Sequence, residues 1–476
     1  MRELDNFIDG MFVPPVSGTY FDDLNPATGS AIAKIPDSDA ADVDQAVTAA
    51  KDAFTAWSVT PAEERSRILL AIADLIEDDR GELAMLESED SGKPVSLAAR
   101  MDIPRAIANF RFFATAILHE SSESHMTDDR ALNYTLRRPV GVAGLISPWN
   151  LPLYLLSWKI APAIAAGNTC VAKPSELTPL TAHRLAELMV AAGLPAGVVN
   201  IVHGFGAKAG AAISAHPDIP LISFTGGTAT GAQVAATAAP LFKKLSLELG
   251  GKNPNLVFAD ADLDEAITTS IRSSFTNQGE ICLCGSRIFV ERPIYDTFVE
   301  RFVEATRKLR VGDPREADTD VGALISEAHL AKVTGYLDLA KQEGGTIVTG
   351  GKRVDRPGFF LEPAVITGLD CDCRVLQEEI FGPVVTITPF DGEDEAVRMA
   401  NSTRYGLSAT VWTRDLQRAH GVAAQLQAGT IWINCWLLRD LRVPFGGMKD
   451  SGLGREGGVD SLRFFTESRN VCIALK

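Results

Sequence analysis

The chain has 476 residues, 46% of them hydrophobic and 22% charged, a globular composition with length for about two to four domains. A formal net charge of −16 excludes nucleic acid and anionic membrane as its main partner. Seven dispersed cysteines, an odd number in a long chain, read as reduced thiols, and Met1-Arg2-Glu3-Leu4-Asp5-Asn6 has acids where a signal peptide carries an apolar run; both point to the cytoplasm.

The N-terminus reads as short strands, with Asn6-Phe7-Ile8-Asp9-Gly10 turning back toward Met11-Phe12-Val13. Val43, Ala46, Val47, Ala50, Phe54 and Trp57 recur at helical spacing and predict a first helix with one apolar face. Thr60-Pro61-Ala62-Glu63 carries a capping-box pattern with proline at the first helical position. Ile68, Ile72, Leu75 and Ile76 give that second helix its stripe, and a third is predicted over about 103–118. Residues 139–158 are uncharged and long enough to span a bilayer. Pro139, Pro148 and Pro152 would break such a helix, and Ser147 and Asn150 would be stranded in lipid, so the segment reads as a buried strand, a turn and a buried helix.

From Pro139 onward, short apolar runs alternate with helices. The runs are Val140-Gly141-Val142-Ala143-Gly144-Leu145-Ile146, Thr169-Cys170-Val171-Ala172-Lys173, Val198-Val199-Asn200-Ile201-Val202, Leu221-Ile222-Ser223-Phe224-Thr225 and Lys244-Leu245-Ser246-Leu247-Glu248-Leu249. This alternation implies a parallel sheet covered on both faces, which binds ligands at the C-terminal ends of its strands. Glycines and a proline in Glu248-Leu249-Gly250-Gly251-Lys252-Asn253-Pro254 mark a joint. A second α/β series follows: Leu256-Val257-Phe258, a helix over about 263–277, Ile288-Phe289-Val290, a helix over about 294–309, and Val384-Val385-Thr386-Ile387. The active cleft is expected between the two series.

Strand ends of one parallel sheet converge on one edge, so Ser147-Pro148-Trp149-Asn150, Lys173-Pro174-Ser175-Glu176 and Glu248-Leu249-Gly250-Gly251 can meet the segment from Gln278 to Arg287. Cys282 lies in that segment among small and polar residues, between a predicted helix end and a strand, a setting expected to favour thiolate.

Together with Phe224-Thr225-Gly226, Asn277-Gln278-Gly279-Glu280-Ile281-Cys282, Glu378-Glu379-Ile380-Phe381-Gly382-Pro383 and Pro444-Phe445-Gly446-Gly447, these segments resemble the aldehyde dehydrogenase superfamily, in order and spacing, over nearly the whole chain. The resemblance implies two Rossmann-like α/β domains with a small oligomerisation arm. It makes Cys282 the nucleophile that forms a thiohemiacetal and then a thioester, Asn150 and the Cys282 N–H the oxyanion donors, and Glu248 the base for hydrolysis. Relatives that pass the acyl group to coenzyme A tend to lack that glutamate. Lys173 and Glu176 would hold the adenosine ribose and Glu379 the nicotinamide ribose; a carboxylate there repels a 2′-phosphate, so NAD is expected over NADP. The wider cofactor set is Ile146, Ser147, Pro148, Trp149, Ser175, Gly206, Phe224, Thr225, Gly226, Gly227, Leu249 and Phe381. The family often has Ser where this chain has Gly227, which removes one hydroxyl contact.

Two other patterns are set aside. Gly452-Leu453-Gly454-Arg455-Glu456-Gly457 matches a dinucleotide fingerprint but lacks the strand before it, and reads as a tight loop near the cleft wall. Cys282-Leu283-Cys284 and Cys371-Asp372-Cys373 have no histidines at zinc-site spacing, so no metal is expected.

Within the superfamily, Gly279-Glu280-Ile281-Cys282-Leu283-Cys284, Asn434-Cys435-Trp436-Leu437-Leu438-Arg439-Asp440-Leu441 and Met101-Asp102-Ile103-Pro104-Arg105 are most similar to the 2-aminomuconic and 2-hydroxymuconic semialdehyde dehydrogenases. Their substrates carry a carboxylate remote from the aldehyde, so Arg105 and Arg439 become its candidate grips, with Trp436 and Phe445 as further substrate contacts. The implied division is 1–117 and 139–250 for cofactor, 251–450 for catalysis, and 118–138 with 462–476 as the arm of a homodimer or homotetramer. The alternatives are oxidation of an aliphatic, betaine-type or retinal-like aldehyde, or a non-catalytic structural protein on this fold.

Overall fold

The computed structural model describes residues 1–475, so Lys476 of the expected arm lies outside the described residues. Five of the predicted runs become parallel neighbours in one sheet, in the spatial order Lys244–Glu248, Leu221–Thr225, Val142–Ile146, Thr169–Lys173, Val199–Ile201. The chain therefore works outward from Val142–Ile146 in one direction and then restarts beside it with Leu221–Thr225. A crevice opens where the two directions part, at the C-terminal ends of those strands. The N-terminal hairpin extends one edge: Phe7 pairs with Phe12 across Asp9 and Gly10, both at positive φ (51° and 76°).

These strands are buried because helices cover both faces. One core joins Leu69, Ile72, Phe110, Phe113, Trp158 and Ile160; the other joins Val43, Val47, Ile213, Ile222 and Phe224. The uncharged run from Pro139 resolves into the strand Val142–Ile146, a turn and the buried helix Pro152–Ala165. Among the described residues, no helix is long and apolar enough to cross a membrane.

A second sheet is ordered Thr346–Thr349, Ala364–Thr367, Val384–Phe390, Arg287–Glu291, Pro254–Val257, Ser408–Trp412, Thr430–Ile433, and is parallel except for its first strand. The chain passes from one sheet to the other between Glu248 and Pro254. A third, smaller sheet pairs Thr466–Ala474 with Ala131–Pro139 over nine residues, and Ser124–Thr127 covers the other side of Ala131–Pro139. Thr466–Ala474 is thus an edge, and most of it is exposed.

Several local expectations are corrected. The box at Thr60 does not form: Pro61 is the cap of Ala62–Asp78 without a side-chain bond, and Thr60 Oγ1 donates back to the Ala56 carbonyl (3.1 Å). The true capping box is at Asp39, opening Ala40–Trp57. The third helix spans Ile103–Ala116, followed by a tight turn. Gly452–Leu453 is not a free loop. It pairs antiparallel with Leu247 and Glu248 and extends the first sheet, because Lys244–Glu248 would otherwise leave an open edge.

Candidate active site

Three consecutive left-handed residues lead into the Cys282 loop. The helix Leu263–Phe275 ends before its expected 277, and Asn277 (φ 53°), Gln278 (φ 56°) and Gly279 (φ 73°) turn the chain. Only glycine fits at 279, where a Cβ would lie 2.2 Å from the Gly382 carbonyl oxygen. Asn253 Nδ2 then donates to the carbonyls of Cys282 (2.7 Å) and Cys284 (2.9 Å), and Trp436 Nε1 donates to that of Leu283 (3.0 Å). Backbone carbonyls are thus tied down on both sides of the cysteine. The thiol itself faces a cleft of about 570 Å³ whose walls include Met101, Tyr154, Leu155, Leu437 and Phe445.

Asn150 follows the strand Val142–Ile146 and is buried. Its Nδ2 donates to the Glu280 carbonyl (2.8 Å), which leaves one N–H of that amide for a ligand. The Cys282 backbone N–H makes no hydrogen bond among the described residues. Asn150 is thus tied to the loop that carries Cys282, two residues before it.

Glu248, at the end of its strand, lines the same cleft, and both its carboxyl oxygens are buried without a hydrogen-bond partner. Burial, then the Glu456 carboxylate, push its pKa well above the ordinary carboxylate range, against Lys159 and Arg439. Lys159 Nζ bridges Glu456 Oε1 (3.2 Å) and Ser223 Oγ (2.8 Å), so buried titratable groups extend behind Glu248. The Cys282 thiol is also pushed up, by burial first and then by the Glu379 and Glu248 carboxylates, with Arg439 pulling the other way. The setting expected to favour thiolate does the opposite: burial above all, with the nearby carboxylates, favours the neutral thiol against the pull of one guanidinium.

Both candidate arginines reach the cleft region without a carboxylate of their own. The Arg439 guanidinium lies 3.7 Å over the Phe445 ring and lines the cleft. That of Arg105 sits 5.2 Å from each of the Tyr154 and Trp158 rings, and its Nε and Nη2 are buried with no partner. The neighbouring Asp440 pairs with Arg442 instead. Trp436 falls elsewhere: it is buried behind the cysteine loop, under Arg272, and is not part of the cleft wall.

The profile of the "Aldehyde dehydrogenase family" matches residues 12–471. The chain belongs to the aldehyde dehydrogenase family. It is 55% identical to 2-aminomuconic semialdehyde dehydrogenase of Danio rerio over 479 residues, covering 99% of this chain and 98% of that one. It is 50% identical to 2-hydroxymuconic semialdehyde dehydrogenase of Pseudomonas sp. strain CF600 over 486 residues, covering both chains fully. The NAD+ complex of aldehyde dehydrogenase from Bacillus cereus superposes with a TM-score of 0.98 at 42% identity, covering 100% of this chain and 97% of that one.

In this aldehyde dehydrogenase the crevice of the first sheet fits a dinucleotide. Lys173 Nζ donates to Glu176 Oε2 (3.1 Å) and to the Pro174 carbonyl (2.8 Å). Burial opposes the Glu176 charge, but Lys173 and the Gly206 N–H hold its carboxyl below the usual range, so it is an ionised acceptor at the crevice. Ser175, beside it, is buried and accepts from the Leu177 N–H. Gly227 caps the helix Thr228–Ala238 with open space in front of it, and the Thr225 hydroxyl is buried without a partner. Free N–H groups at such a helix start suit a pyrophosphate. Ser147 N–H continues the sheet pairing to the Lys173 carbonyl (3.1 Å), and Trp149 then lies edge-on to Phe381 (5.3 Å) and His329 (5.2 Å) across the opening. Glu379 lies against Gly250 and accepts the Gly251 N–H (2.8 Å).

Sequence reasoning missed Lys93, Glu87 and Asp102 beneath Asn150, Lys159 and Glu456 behind Glu248, and His329 at the cofactor crevice. Asp102 and Glu456 lie in stretches already singled out, but no spacing in the sequence ties any of these side chains to its partner. The one available cue was charge inside otherwise apolar runs, as at Lys159 between Trp158 and Ile160.

Proposed function

We propose that this enzyme oxidises a carboxylated, unsaturated aldehyde, 2-aminomuconic or 2-hydroxymuconic 6-semialdehyde, to the acid with NAD. The observation that carries the substrate is the pair Arg439, which lines the apolar cleft, and Arg105, which packs against its wall residues Tyr154 and Trp158 with Nε and Nη2 buried and unpartnered; among the described residues neither forms an ion pair. A buried cation without a counter-ion is costly, and a ligand carboxylate relieves that cost. The relatives named for these substrates support the same reading.

In this mechanism Cys282 releases its proton to solvent and its sulfur attacks the aldehyde carbon, the C=O π pair moving onto the oxygen. Asn150 Nδ2–H and the Cys282 N–H receive the developing oxyanion. NAD, when bound, would supply the hydride acceptor that takes the bound aldehyde to the thioester level; Lys173 and Glu176 would hold one ribose, the N-terminus of Thr228–Ala238 the pyrophosphate and Glu379 the other ribose. Glu248 then takes a proton from water as that water attacks the thioester and the Cys282 sulfur leaves. Phe445 and Tyr154 shape the apolar passage, and the two arginines fix the far carboxylate.

The same reading assigns 1–117 and 139–250 to the cofactor, 251–450 to catalysis, and 118–138 with the C-terminal strand to assembly. The exposed edge of Thr466–Ala474 supports a homodimer or homotetramer that pairs such edges. Seven free cysteines support a cytoplasmic setting. The test is NADH formation on 2-hydroxymuconic semialdehyde, hexanal and betaine aldehyde at equal concentration. A large kcat/KM preference for the semialdehyde is expected; a flat profile would remove the substrate and leave the family.

A further inference from the structure

We infer that Lys93, held by Asp102 and Glu87, is a positioning residue that fixes the oxyanion amide of Asn150 through the Asn150 backbone. The claim rests on the reading of Asn150 as an oxyanion donor. Lys93, Asp102 and Glu87 have fully buried side chains. Lys93 Nζ donates to Asp102 Oδ1 (2.9 Å) and lies 3.7 Å from Glu87 Oε1. Its third contact is the backbone carbonyl of Asn150 (2.9 Å). Asn277 Nδ2 reaches that same carbonyl from the other side (3.1 Å), so both of its lone pairs are used.

Downstream, the Leu153 N–H points at the Glu87 carboxylate (3.4 Å). The start of the helix Pro152–Ala165 and the residue two before it are thus anchored to one ionic cluster. At its other end Asn150 has a single side-chain tie, to the Glu280 carbonyl. The angle at which its remaining N–H meets the developing oxyanion is set by the backbone, and the backbone is set by Lys93. Burying one lysine with two carboxylates is an expensive way to hold a loop unless orientation matters. A wholly apolar cluster would pack the same volume without aiming the carbonyl.

The test is a double-mutant cycle of Lys93→Met and Asn150→Ala, read by kcat, KM, NAD affinity and the rate at which iodoacetamide alkylates Cys282. Lys93→Met is expected to lower kcat roughly 10- to 100-fold, the range typical of groups that orient a catalytic side chain. KM, NAD affinity and alkylation should stay within about threefold, and in the Asn150→Ala background the substitution should cost almost nothing further. Equal losses in both backgrounds, or a loss confined to KM or NAD affinity, would overturn the assignment. No effect of Asn150→Ala alone would instead overturn the oxyanion reading beneath it. If Lys93→Met yields no folded protein, Asp102→Asn is read in the same cycle. Failure of both to fold would also overturn the claim, because the cluster would then serve the fold alone.

Discussion

Replacing Arg105 by methionine tests the substrate assignment most cleanly. Methionine keeps an apolar, unbranched stem and removes the guanidinium that lies against the Tyr154 and Trp158 rings, with its charge and donors. A charge-assisted bond from a desolvated guanidinium to a carboxylate contributes about 1.5–3 kcal/mol, which is roughly 10- to 150-fold in binding. Because burial already holds Arg105 below the usual guanidinium range and its Nε and Nη2 have no partner, its removal should not destabilise the fold. The expected result is a KM for 2-hydroxymuconic semialdehyde raised by that factor, a KM for hexanal changed less than about twofold, and an unchanged Tm. Arg439 is a less clean probe: its charge also lowers the pKa of Cys282 and Glu248, so its loss perturbs chemistry as well as binding. Initial rates of NADH formation over a range of each aldehyde make the measurement. Equal changes on charged and neutral substrates would refute the carboxylate grip.

Glu248→Gln should still give one rapid equivalent of NADH and then lose at least about 100-fold in steady turnover, since acyl transfer to water needs the base; stopped-flow absorbance checks this, and full turnover would remove Glu248 from the mechanism. Glu87 is pushed up to about 8, by burial above all and against Lys93, from roughly 4.3 in an unfolded chain. Its neutral form is thus favoured in the fold, and its contribution is fully present below the unfolded value and lost as pH rises through the folded one. Measured by denaturant titration, the stability of the native enzyme relative to Glu87→Gln should fall between about pH 4 and 8 and level off above; a constant difference would refute it.

The strand runs from Val142 to Glu248 were legible because parallel strands buried on both faces are continuous apolar stretches, and the ends of those stretches mark the edge at which the crevice is expected. The site was legible wherever chemistry sits on a strand end or beside a glycine turn, as at Asn150, Glu176, Glu248 and Cys282. Arg105 stood out by resemblance alone, and only the structure reveals that it has no partner. Helix ends were less readable. Thr60 looked like a cap because its spacing is right, yet the preceding helix claims its hydroxyl. The stop at Phe275 depends on left-handed Asn277 and Gln278, which tertiary contacts impose. Trp436 was read as a substrate contact by resemblance of its stretch, but it packs behind the cysteine loop, and a left-handed Leu437 (φ 60°) lies between it and Arg439. Lys93 was invisible: its partners, nine residues along the chain and 57 residues away at Asn150, meet only in the folded protein.

A neutral resting thiol changes how the nucleophile is understood. Thiolates are the form that oxidants attack, so an enzyme that holds Cys282 protonated until substrate arrives limits side reactions. Burial raises the thiol and Glu248 alike, but different carboxylates add to it: Glu379 and Glu248 act on the thiol, and Glu456 acts on Glu248. Glu248, once ionised, is thereby a stronger base toward water than an ordinary glutamate would be. Alkylation of the free enzyme by iodoacetamide should then accelerate with pH beyond about 8.5, the value of an ordinary thiol, without a plateau below it. Glu379→Gln should move the profile toward lower pH by removing a repelling carboxylate, and Arg439→Ala should move it higher by removing the attracting cation. A plateau below about pH 8, or shifts of the opposite sign in the two variants, would show that the free enzyme holds a thiolate and that the carboxylates around Cys282 do not govern its proton.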